Sequence, residues 1–94
     1  NDVEEFKRIS SLPAMKRAYE FYQLGMNTNA RREWNHALKK MTTYQMQMAA
    51  ALAVKWGWHN RAIITMSRAR ALDNLVLRFP ILYEEILTKY AKKK

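Results

Sequence analysis

Cysteine is absent from this 94-residue chain. That removes disulfides, thiolate metal sites and cysteine nucleophiles together, but it leaves the compartment open, because many secreted proteins also lack cysteine. Glycine and proline occur only twice each, too few for the many turns of an all-β chain. Long apolar runs are missing as well. The longest charge-free stretch, Met41 to Val54, carries Thr and Gln and reads as a buried helix, not a bilayer segment. Asn1 to Arg8 mixes three acids with two bases and is no signal peptide. With no initiator Met before Asn1, a mature or excised fragment is the expectation. Acidic residues are also scarce, 8 against 17 Lys+Arg, for a formal net charge of +9. What remains is 49% apolar, enough to pack one small domain and too much for a disordered chain.

Helix punctuation is clear. Ser11-Leu12-Pro13 reads as a helix entry, with Ser11 as the cap and proline in the first turn. Met15, Ala18 or Tyr19, Tyr22 and Met26 then recur at three- and four-residue steps, opposite Lys16, Arg17 and Glu20. Gly25 closes this helix as a left-handed C-terminal residue. A second helix begins near Asn27 to Asn29 and should bury Ala30, Trp34, Ala37, Leu38 and Met41. Thr42 and Gln45, at capping-box spacing, open a third. Lys55 is its one charge before Gly57 ends it, so it should be covered on most sides. A fourth, from about Asn60 to Arg70, should bury Ala62, Ile63, Met66 and Ala69. Asp73 can cap a short fifth that stops at Arg78-Phe79-Pro80, and a sixth runs from Ile81 to about Ala91. The fold class is all-α.

An internal repeat underlies this pattern. Gly25 is followed by Ala30, Trp34 and Ala37 at offsets +5, +9 and +12, and Gly57 by Ala62, Met66 and Ala69 at the same offsets. The glycines are 32 positions apart (57 − 25). Such a unit is a helix hairpin used twice. Glycine turns the chain, the small alanine lets the helices approach, and the large residue fills the groove. The spacing resembles the tetratricopeptide repeat, whose period is about 34 residues, although no proline closes either unit.

Catalytic constellations are scarce. His36 and His59 form no H-x-x-x-H pair, so metal binding is not expected, and neither is a cofactor. Glu84 and Glu85 are adjacent and diverge by about 100° on a helix, too far to flank one bond. Glu33 beside Trp34 is better placed as a surface ion-pair partner than as a general acid. Ser10, Ser11 and Ser67 have no base at a useful spacing, and the two glycines make no phosphate loop. Trp34 and Trp56 fall on buried stripes, and Trp58, just after Gly57, is the tryptophan expected to be exposed. Arg31, Arg32, Lys39, Lys40, Arg61, Arg68, Arg70 and Lys92 to Lys94 spread positive charge over several helices. That is ordinary solubilising surface, or a face for an anionic partner. No aromatic-basic nucleic-acid motif accompanies it.

From Leu12 to Tyr90 the chain resembles the linker (L) region of the large soluble lytic murein transglycosylases. The residues that carry the resemblance are Leu12-Pro13-Ala14-Met15 with Arg17, Leu24-Gly25, and Ala30-Arg31-Arg32-Glu33-Trp34. Further on come Gln45 to Ala53, Trp56-Gly57-Trp58 with Arg61-Ala62, and Leu77-Arg78-Phe79-Pro80 with Tyr83. The resemblance implies a superhelical domain of hairpins before the linker and a lysozyme-like catalytic domain after it. That catalytic domain uses a single Glu in a Glu-Ser pair to cleave the glycan with formation of a 1,6-anhydro product. No Glu-Ser pair occurs here, so the family's catalytic residue falls on no position of this chain.

The expected architecture is thus about six helices, with two tetratricopeptide-like hairpins and further C-terminal helices in superhelical or orthogonal packing. Residues 1–11 are an N-terminal extension, 12–91 the helical linker domain, and 92–94 a basic tail. Arg78, Phe79, Pro80 and Tyr83 mark the junction to a following domain. The expected partners are neighbouring domains of the same chain and murein glycan, in the periplasm, without a membrane span. The competing readings are a free-standing repeat module that binds a peptide or helix in its groove, and, behind it, a small basic nucleic-acid binder.

Overall fold

Asn1 has the short polar side chain that helix N-termini favour, and it opens the first element: its Oδ1 accepts from the Glu4 backbone N–H at 3.0 Å. In the computed structural model, which describes residues 1–70, five helices follow one another. They are α1 (Asp2–Ser10), α2 (Pro13–Gln23), α3 (Asn27–Leu38), α4 (Thr43–Trp56) and α5 (His59–Arg70). No strand occurs among the described residues, and the fold is all-α. The expected fifth and sixth helices, Arg78, Phe79, Pro80, Tyr83 and the basic tail lie outside the described residues. The chain divides into two compact units, Asn1–Thr42 and Thr43–Lys94.

In the first unit, α1 is an element that the apolar periodicity did not announce. Acids fill its first turn and bases its last, in the sense the helix dipole favours. Arg8 Nη2 donates to Glu5 Oε2 at 2.7 Å, and Ile9 is its one fully buried side chain. The presence of α1 also corrects the expected cap. The Ser11 N–H donates to the Lys7 and Arg8 carbonyls at 3.1 and 3.2 Å, so Ser11 closes α1 instead of opening α2. Leu12 takes the N-cap position of α2, extended at φ −60°, ψ 139° and without a side-chain cap, as a residue before proline prefers. Pro13 stands in the first turn of α2, where its missing N–H costs nothing.

The α2–α3 hairpin closes over Ala14, Met15 and Ala18 from one helix and Ala30, Trp34 and Leu38 from the other, all buried. The stripe is narrower than expected. Ala18, not Tyr19, is its inward residue, and Tyr19 and Met26 are 39% and 43% exposed. Ala14, Met15 and Ala18 already supply the buried face of α2. Met41 is half-buried.

In the second unit, α4 is buried continuously from Met46 to Ala50 and again from Leu52 to Val54, as its near-absence of charge requires. It packs against α5, which turns Arg61, Ala62, Thr65, Met66 and Ala69 inward. Ile63, expected in this core, is only half-buried, because Arg61 and Thr65 take the neighbouring inward positions.

Candidate functional site

The two hairpin turns share one backbone pattern. The Gly25 N–H donates to the Tyr22 carbonyl at 3.0 Å and the Met26 N–H to Phe21 at 2.9 Å. At the second turn the Gly57 N–H donates to Val54 at 3.0 Å and the Trp58 N–H to Ala53 at 2.9 Å. This double closure, three and five residues back, is the Schellman C-terminus. It needs a left-handed residue, and the two glycines have φ of +76° and +85°. The next helix then starts identically: the Ala30 N–H donates to Met26, and the Ala62 N–H to Trp58, both at 3.0 Å. Gly25, Ala30 and Trp34 thus hold the same backbone places as Gly57, Ala62 and Met66. Ala30, Trp34, Ala62, Met66 and Ala69 are at most 3% exposed, whereas Ala37 is half-buried.

The tryptophans are distributed differently from expectation. Trp58 is 9% exposed and Trp56 is half-buried. The backbone N–H of Trp58 closes the end of α4 on Ala53, and the ring has partners of its own. It stacks on Trp56, with centroids 6.3 Å apart and planes 13° from parallel. The Arg61 guanidinium lies 5.7 Å from the Trp58 centroid, in cation–π range. Arg61 is 8% exposed and so does not contribute to the basic surface on which it was expected.

That surface is otherwise as the periodicity places it, with Arg31, Arg32, Lys39, Lys40, Arg68 and Arg70 exposed. Part of it surrounds a depression that no single motif signals. Leu12, Pro13, Ala14 and Arg17, from the start of α2, meet His36, Ala37, Lys39 and Lys40, from the end of α3, around a groove of ≈ 400 Å³. Its lining combines apolar Leu12, Pro13, Ala14 and Ala37 with the side chains of Arg17, His36, Lys39 and Lys40. Arg17 Nε donates to Glu33 Oε1 at 2.9 Å across the hairpin. Glu33 is therefore an ion-pair partner and orients the arginine. The signal available in the sequence was the Leu12-to-Arg17 block and the basic end of α3, which the hairpin brings together.

Among the described residues no three His, Asp or Glu side chains gather as a metal site. No helix among them is long and apolar enough to cross a membrane.

Two comparisons with known proteins point to one family. Residues 8–75 match the family described as soluble lytic murein transglycosylase L domain. A curated relative, the soluble lytic murein transglycosylase of Salmonella typhimurium (strain LT2), is 26% identical over 82 residues, which are 87% of this chain and 13% of that protein. No solved structure matches significantly. With one family matched across most of its length, including all of α2 to α5, the chain belongs to the soluble lytic murein transglycosylase L domain family.

Proposed function

We propose that the chain is the non-catalytic linker of a murein lytic transglycosylase. In this reading residues 12–91 join a superhelical domain to a lysozyme-like catalytic domain and help to hold the glycan strand. Residues 1–11 lead into the linker from the preceding segment, and 92–94 lead out of it. The family match over residues 8–75 carries the proposal. Two further observations support it. The relative is much longer than this chain, which spans 13% of it, so neighbouring domains are the natural partners. The sequence also contains no Glu-Ser pair, and Glu33, on α3, is engaged by Arg17 instead of being poised for acid–base work. Murein is a cell-wall polymer, which points to the periplasm.

Arg78, Phe79, Pro80 and Tyr83 are proposed as the junction with the catalytic domain. Tyr83→Ala should cost little stability in the isolated chain and more in a longer chain that carries the following domain. An equal loss in both would make Tyr83 a local core residue only. The direct test of the non-catalytic role is incubation of the isolated chain with purified murein. No anhydro-muropeptides above a buffer control are expected. Their release would overturn the proposal.

A further inference from the structure

The groove at the open end of the α2–α3 hairpin has chemistry that general surface charge does not. Its lining includes Arg17, His36, Lys39 and Lys40, all exposed, and these form the charged rim of the proposed site. Arginine and lysine are donors only, so the rim is suited to acceptor groups. Arg17 is held by Glu33 through Nε alone, at 2.9 Å, which leaves its two terminal amino groups directed by that bond and available to a ligand. Glu33 offsets one of the three permanent positive charges and leaves two in excess. Leu12, Pro13, Ala14 and Ala37 complete the lining as its apolar part, taken as the floor, without a phenyl, phenol or indole ring. A neutral sugar calls for acceptors as well as donors, and for aromatic faces on which to lie, and this groove is poor in both. A short peptide with small aliphatic side chains and a free carboxylate fits both floor and rim. The ≈ 400 Å³ matches the volume of a small-ligand site.

We infer that this groove binds a carboxylate of the murein peptide stem, with Lys39, Lys40 and Arg17 as the charge partners and the alanine-lined floor under the stem. This rests on the murein reading above and adds to it the part of the polymer that is held. Glycan strands are repetitive and nearly neutral, whereas the stems bear aliphatic residues and carboxylates. A linker that grips the stem would fix the strand's rotation as well as its path. Lys39 and Lys40 also complement the dipole at the end of α3, but that role predicts no ligand.

The test is titration of the 94-residue chain with three probes and a hexaglutamate peptide as competitor control, followed by amide shifts and calorimetry. The probes are a disaccharide bearing a peptide stem with free carboxylates, the same compound with its carboxylates converted to methyl amides, and a stem-free N-acetylglucosamine tetrasaccharide. Binding of the first should shift the amides of Leu12, Ala14 and His36 to Lys40. Amidation of the stem should weaken it about tenfold, the usual loss for charge-assisted hydrogen bonds in partly exposed sites. The exposed double variant Lys39→Gln/Lys40→Gln should lose about as much, while Arg68→Gln/Arg70→Gln, with the same change in net charge on α5, should stay within about twofold. Four results would overturn the proposal. These are no binding at millimolar concentration, equal binding of the stem-free sugar, an equal loss in the Arg68/Arg70 control, and tighter binding of a hexaglutamate peptide, which would assign the groove to an acidic protein segment. None of them touches the linker reading, which rests on the family match and is tested by product formation and by the longer chain.

Discussion

At the scale of single residues, backbone conformation decides more than side-chain type. A Cβ at Gly25 would meet nothing within 4 Å, so any penalty there comes from φ +76° and not from crowding. Gly25→Val should therefore cost about 1–2 kcal/mol, and Gly25→Asn distinctly less, because asparagine tolerates the left-handed region. Paired thermal melts would show this ranking, and equal midpoints would contradict it. Gln47 is the opposite case. It is fully buried, and neither its amide nitrogen nor its oxygen has a hydrogen-bond partner among the described residues. An unsatisfied buried amide is a standing penalty, so Gln47→Met, of similar volume, should raise stability by about 1 kcal/mol. A lowered melting temperature would be incompatible with the penalty. Trp58 shows what sequence position alone conceals. Met26 and Trp58 follow their turn glycines with the same backbone bond, yet Met26 is 43% exposed and Trp58 9%. The difference is that Trp58 also has Trp56 to stack on and Arg61 over its ring.

Among elements, legibility followed punctuation. Helices α2 to α5 were readable because Pro13, Gly25 and Gly57 bracket apolar stripes. Helix α1 was not, because Val3, Phe6 and Ile9 are interleaved with charges and only Ile9 is buried. Its order comes from the Asn1 cap and the Glu5–Arg8 pair, which a search for apolar faces overlooks. Ile9→Ala should consequently loosen α1 from α2 at a cost of about 2–4 kcal/mol. Amide exchange should quicken in residues 2–10 and stay unchanged in α4. Uniform quickening in both units would contradict this local role. The Arg17–Glu33 pair joins α2 to α3 with side chains 50% and 26% exposed. Solvent screens such a pair, and a double-mutant cycle should give a coupling of about 0.2–1 kcal/mol. Its larger value lies in fixing where the arginine points. That pairing was legible only in outline, since the sequence marks Glu33 as a surface residue but not the hairpin partner 16 positions away.

For the whole molecule, the repeat was the most legible feature and the groove the least. Two glycines at equal distance from alanines and a large residue were enough to place both hairpins. The groove needed the fold, because its rim is assembled from one end of α2 and the opposite end of α3. A count of charges scattered along the chain gives no hint that Arg17, Lys39 and Lys40 share one concave surface. The net +9 will still produce diffuse attraction to any polyanion, so weak, salt-sensitive binding to nucleic acid is expected and carries no functional meaning.

The proposed role is to serve catalysis without performing it. The most direct measurement replaces residues 12–91, within the longer reading frame that carries them, by a flexible glycine–serine segment of equal length. Turnover is then compared on intact murein sacculi and on a short soluble murein fragment. The linker account predicts that sacculus turnover falls at least tenfold while turnover of the short fragment is largely kept, since positioning a strand matters only where a strand must be held. Unchanged turnover on sacculi would contradict it.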